Sequence, residues 1–129
     1  MVLDTSAIVA ILFDEPERRR FTELIEVTPR RLISAANVLE SSLLVEARRG
    51  EAAGVALDLL MHRAEVAVVA VDGEQVEIAR SAWRRYGKGR HPAGLNFGDC
   101  FAYALAAASG EPLLFKGDDF ARTDVKRAS

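Results

Sequence analysis

Asp4, Thr5 and Ser6 stand directly behind the apolar pair Val2-Leu3. An apolar run ending in a carboxylate and two hydroxyls reads as a short buried strand that delivers Asp4 to its C-terminal end, the end where open α/β sheets bind ligands. Three later segments offer acids in similar settings: Glu40, Asp99 and the pair Asp118-Asp119. Carboxylates brought together repel one another, and raised pKa values or a bound cation relieve the repulsion. Oxygen donors of this kind suit Mg²⁺ or Mn²⁺. Such an ion binds phosphate oxygens and lowers the pKa of water, and two ions about 4 Å apart can clamp both oxygens of a phosphodiester displacement.

Other chemistries find little support. Cys100 is the single cysteine and the histidines are His62 and His91, so there is neither an internal disulfide nor a zinc spacing. Cys100 reads as core. Ser6 has no His or Lys at a motif spacing to activate it, so Ser6 and Thr5 read as local hydrogen-bonders, with Ser6 able to cap a helix. The net charge of −2 argues against duplex binding by bulk charge. The charges are locally sorted, however. Arg84, Arg85, Lys88 and Arg90 lie among Trp83, Tyr86 and His91, a basic and aromatic mixture suited to single-stranded nucleic acid. No apolar stretch approaches the roughly 20 residues that span a bilayer, and Asp4 comes too early for a secretory leader. With the lone cysteine, this makes the cytoplasm the expected compartment.

The elements that must carry these residues follow from the apolar pattern. Strands are expected at Val2 to Asp4, Arg31 to Ser34, Val66 to Val71 (a buried β-branched run) and Pro112 to Phe115. Helices are expected over Ser6 to Phe13, from Pro16 through Ile25, over Asn37 to Arg49, Glu51 to His62 and Glu74 to Tyr86. Asn96 can cap a last helix from Phe97 to Ser109, with Gly110 closing it. A Gly/Pro-containing loop fills Gly87 to Leu95, and a polar turn follows at Lys116 to Asp119. The 129 residues suffice for one domain, 1–129. Strands alternating with helices predict an α/β fold with a mainly parallel sheet. Asp4 and the Asp118-Asp119 turn both follow strands. Glu40 and Asp99 fall in the first turns of helices, so all four can reach one sheet edge.

Taken in order, four segments resemble the PIN-domain family and, within it, the VapC-type ribonuclease toxins of toxin–antitoxin pairs. They are Val2-Leu3-Asp4-Thr5-Ser6-Ala7, Ser34-Ala35-Ala36-Asn37-Val38-Leu39-Glu40, Gly94-Leu95-Asn96-Phe97-Gly98-Asp99-Cys100 and Leu113-Leu114-Phe115-Lys116-Gly117-Asp118-Asp119-Phe120. The resemblance implies a three-layer αβα sandwich and an endoribonuclease dependent on Mg²⁺ or Mn²⁺. It carries the family acids to Asp4, Glu40 and Asp99 and the orienting hydroxyl to Thr5 or Ser6. Asp4 and Asp99 would hold the principal ion, with Glu40 and Asp119 completing the set. Many members have a Thr-x-Asp turn before the phenylalanine, whereas here Gly117 takes that aspartate position, so Asp119 is preferred over Asp118 as the last acid. Lys116 could meet the phosphate backbone, and the Arg84 to His91 segment offers an RNA path. A homodimer and a cognate VapB-type antitoxin, whose tail enters the acidic groove, are also implied. Two other readings compete. An inactive binding module of the same fold would be expected to have lost some acids, and each segment retains one. An aspartate-nucleophile phosphohydrolase of the haloacid dehalogenase type needs a second aspartate two residues after the first, where Ser6 stands.

Overall fold

The computed structural model describes residues 1–129. Strands β1 (Val2–Leu3), β2 (Leu32–Ser34), β3 (Ala67–Val69) and β4 (Leu113–Leu114) form one sheet in the order β3-β2-β1-β4, parallel throughout. Six α-helices, α1 (Thr5–Leu12), α2 (Arg18–Val27), α3 (Ala35–Arg49), α4 (Glu51–Arg63), α5 (Gly73–Tyr86) and α6 (Phe97–Ser109), and a 3-10 turn at Phe120–Arg122 complete the chain.

Alternation along the strands makes the layers. Leu3, Ile33 and Leu114 point to a core built with α1 to α4, while Val2, Leu32 and Leu113 point to a second core under α5 and α6. The sequence-predicted αβα sandwich is therefore present. Sheet strands covered on both faces are apolar at consecutive positions, as Val2-Leu3 and Leu113-Leu114 are. Phe21 of α2 is wholly buried in the first core. Truncating it to alanine is expected to cost about 3–5 kcal/mol of stability, read by urea denaturation; a loss below 1 kcal/mol would mean that α2 is not part of the core.

Three sequence expectations need correction. The Val66 to Val71 segment is not a buried strand: β3 lies at the sheet edge and Val68 is 55% exposed, because β-branched residues mark an edge strand as readily as a central one. Helix α3 starts at Ala35, capped by Ser34, so Glu40 lies in its second turn and not its first. Helix α1 is capped by Asp4 rather than Ser6.

Candidate active site

Each acid is placed by a local device. Asp4 ends β1, and its backbone N–H still bonds Leu114 O of β4 at 3.0 Å. Its Oδ2 accepts from Ser6 N at 2.9 Å and from Ser6 Oγ at 2.6 Å. Ser6 Oγ in turn accepts from Lys116 N at 3.0 Å. That last bond commits the Ser6 proton to Asp4 and ties the end of β4 to the start of α1. Asp4 is 3% exposed, and its Oδ1 has no hydrogen-bond partner. Asp99 closes a capping box on α6: its Oδ2 accepts from Asn96 N at 3.0 Å and its N–H donates to Asn96 Oδ1 at 2.9 Å. Asp99 thus sits in the first turn of the helix, where the dipole favours an anion.

Glu40 is held from beneath. Its Oε1 accepts from Thr5 Oγ1 at 2.5 Å and from Asn37 Nδ2 at 3.2 Å. Thr5 Oγ1 also accepts from Ser41 Oγ at 3.3 Å. Asn37 and Ser41 are wholly buried. Their roles escaped the sequence reading, which used Asn37 only as a helix start. The available signal was periodic: Asn37, Glu40 and Ser41 share one helix face at i, i+3 and i+4.

Asp4, Glu40, Asp99 and Asp119 all line one open cleft of about 460 Å³ at the C-terminal ends of β1 and β4, with Thr5, Ser6 and Asn96. Asp118 does not line it. Gly117 has φ 97°, a backbone conformation side-chain-bearing residues rarely adopt. This turn therefore needs glycine where the family pattern often has aspartate.

The acids feel one another. Burial pushes the Asp4 carboxyl from 3.8 up to about 6, with the Glu40 charge adding and the Ser6 hydrogen bonds opposing. Burial pushes Asp99 from 3.8 up to about 7, helped by the charges of Asp4, Asp119 and Glu40 and opposed by the Asn96 bond. Burial likewise raises the Cys100 thiol, with Asp99 adding. No three Asp, Glu, His or Cys side chains are drawn together as a finished cation cage. The site nevertheless fits a hydrated divalent ion. Its donors are carboxylates, the buried Asp4 Oδ1 lacks a partner, and Mg²⁺ characteristically retains several waters.

The positive residues are arranged differently from the sequence expectation. Lys116 lines the cleft, but its Nζ is engaged by Glu15 at 3.2 Å and Glu17 at 3.3 Å. The cleft's other cation is Arg48 of α3, which the sequence reading missed. None of Arg84, Arg85, Lys88 and Arg90 lines the cleft. Arg85 pairs with Asp124 at 3.6 Å and stacks on Tyr86. Arg90 lies 4.2 Å over the Trp83 ring. Arg84, Arg90 and Trp83 border an adjacent groove between α5 and α6, whose wall includes Phe97, next in sequence to Asn96 of the cleft.

Comparison with known proteins agrees with this geometry. The PIN domain family model matches residues 1–126. Ribonuclease VapC30 of Mycobacterium tuberculosis is 58% identical over 125 residues, covering 97% of this chain and 95% of that protein. Ribonuclease VapC of Mycolicibacterium smegmatis is also 58% identical, covering 97% of each chain. Among solved structures, the sarcin–ricin loop cleaving toxin VapC20 of M. tuberculosis superposes with a TM-score of 0.77 at 20% identity, covering 96% of this chain and 95% of that one. The chain belongs to the PIN-domain family and, within it, to the VapC ribonucleases.

Proposed function

We propose that this protein is an endoribonuclease that hydrolyses RNA phosphodiester bonds with a carboxylate-held Mg²⁺ or Mn²⁺ and serves as the toxin of a toxin–antitoxin pair. The observation that carries this is the cleft itself: four acids from separate elements share it, and the most buried of them keeps an oxygen without a partner. Asp4 and Asp99 would hold the ion, with Glu40 and Asp119 completing its surroundings through water. When bound, the ion would neutralise charge on the phosphodiester oxygens and lower the pKa of water beside them.

The chain's own residues do the rest. Ser6 holds Asp4 Oδ2 so that Oδ1 faces away from the cap. Asn96 fixes Asp99 at the helix start. A carboxylate of the cleft accepts the proton of the attacking water. Arg48 stands on the cleft wall where a guanidinium can meet a phosphate oxygen. The groove beside Phe97 offers a path for the flanking strand, with Trp83 and Phe97 as stacking surfaces and Arg84 and Arg90 for its phosphates. Arg85 and Lys88, which line neither the cleft nor this groove, remain RNA-binding candidates beyond it.

The partners follow from the family. We assign a VapB-type antitoxin, whose arginine would satisfy the carboxylates, and a homodimeric state. The solved complex of VapBC2 from Rickettsia felis with promoter DNA has a TM-score of 0.73 to this chain, at 16% identity, covering 98% of this chain and 94% of that one. No helix is long and apolar enough to cross a membrane.

Two measurements test the proposal. Mn²⁺ at about a hundred times its dissociation constant should stabilise the purified protein by about 2.7 kcal/mol, seen as a raised melting temperature. Sequencing RNA 5′ ends after brief induction should show new internal ends at one motif. No metal-induced stabilisation and no new ends would refute the proposal.

A further inference from the structure

Glu40 approaches α6 more closely than any side chain could if residue 98 were not glycine. A Cβ built on Gly98 would overlap Glu40 Oε2 and crowd the rest of its carboxylate. Gly98 is an ordinary helical residue, two positions into α6, with no left-handed backbone to explain its identity. Glycine is a weaker helix former than alanine, and the close approach of Glu40 gives a reason for it at this position. The same point is tied from the other side. Asn37 Nδ2 donates to Gly98 O at 3.1 Å as well as to Glu40 Oε1 at 3.2 Å, and it approaches Thr5 Oγ1 at 3.4 Å. Both Gly98 O and the Glu40 carboxylate can only accept, so the amide must present its nitrogen to them.

We infer that Gly98 and Asn37 are positioning residues for the acidic cleft: Gly98 opens the space that the Glu40 carboxylate occupies, and Asn37 fastens that carboxylate to the α6 backbone one residue before Asp99. Together they set the offset between Glu40 on α3 and Asp99 on α6, two helices otherwise joined here only by packing. The inference rests on the reading of Glu40 as part of the cation-holding set.

The test is Mn²⁺ titration calorimetry on the whole purified chain, with melting temperatures measured alongside. The Cβ added by Gly98→Ala meets the far end of a flexible side chain, so Glu40 swings aside and the helix keeps its packing. The expected result is Mn²⁺ affinity lowered about tenfold, the usual scale for residues that orient ligands, with any fall in melting temperature coming from the Thr5 and Asn37 bonds that Glu40 gives up. Glu40→Asp shortens the acid by one methylene and withdraws it from residue 98. In the Gly98→Ala background it should therefore cost nothing further or restore affinity, whereas in the wild-type background it should weaken binding. A purely structural role for Gly98 would give additive losses instead. Should Gly98→Ala alone lower the melting temperature, Glu40→Asp must restore it, and failure to restore it overturns the inference. Glu40→Gln keeps the two readings apart. If it weakens Mn²⁺ binding while Gly98→Ala does not, the positioning role is wrong. If Glu40→Gln leaves binding untouched, the assignment of Glu40 fails and the inference goes with it.

Discussion

Replacing Asp4 by asparagine is expected to lower RNA cleavage by roughly 10³-fold or more while leaving the metal-free protein at least as stable at pH 8. The two effects share one cause. Asparagine is nearly isosteric, and its oxygen can take the Ser6 N–H and Oγ–H bonds that Asp4 Oδ2 accepts at 2.9 and 2.6 Å. The cap of α1 therefore survives. Its amide nitrogen then occupies the place of Oδ1, the buried oxygen without a partner, and presents donor hydrogens where a cation is proposed to sit. Loss of a direct carboxylate removes several kcal/mol of charge stabilisation from the transition state, each 1.36 kcal/mol being tenfold in rate. The same substitution deletes a charge that burial holds at a pKa of about 6 against its ordinary 3.8, a strain of up to about 3 kcal/mol. Cleavage assays and urea titrations on the same preparations separate these effects. A variant that keeps wild-type cleavage, or that loses it by unfolding, would contradict the assignment.

The second large effect is a stability that falls with pH in the absence of metal. The Asp99 carboxyl stands at about 7 and that of Asp4 at about 6, both above the 3.8 they have when free in solution. Between those limits the folded chain keeps protons that the unfolded chain has released. Stability contributed by these groups is thus fully present below about pH 4, declines as pH rises, and is gone above about pH 7. In EDTA, wild type should lose melting temperature relative to Asp99→Asn as pH goes from 5 to 8. Saturating Mn²⁺ should close that gap at pH 8, because the ion supplies the opposing charge. Parallel pH profiles for wild type and Asp99→Asn would show that the Asp99 shift is absent.

The sequence revealed the acids better than it revealed what holds them. Asp4 was legible because a buried two-residue strand precedes it, and Asp99 because Asn96 marks a helix start; both expectations match the structure. The sheet was also legible, except at β3. There the β-branched residues signalled a strand without signalling that Val68 would lie at an exposed edge. The shared helix face of Asn37, Glu40 and Ser41 was legible, but their partners Thr5 and Gly98 were not, since those contacts join residues 32, 36 and 61 positions apart in the chain. The partners of Lys116 were also not legible. A lysine at a strand end suggests a phosphate contact, but Glu15 and Glu17 reach it from the turn before α2. Its backbone N–H has the more evident role, anchoring Ser6.

Cleavage of RNA in the carboxylate cleft is proposed to need a divalent ion. The most direct measurement is cleavage of an end-labelled hairpin RNA by purified protein freed of antitoxin, with Mn²⁺, with EDTA, and with Asp99→Asn in place of wild type. Internal cuts are expected with Mn²⁺ and wild-type protein only. Cutting that continues undiminished in EDTA, or in the Asp99→Asn variant with Mn²⁺, would contradict the account.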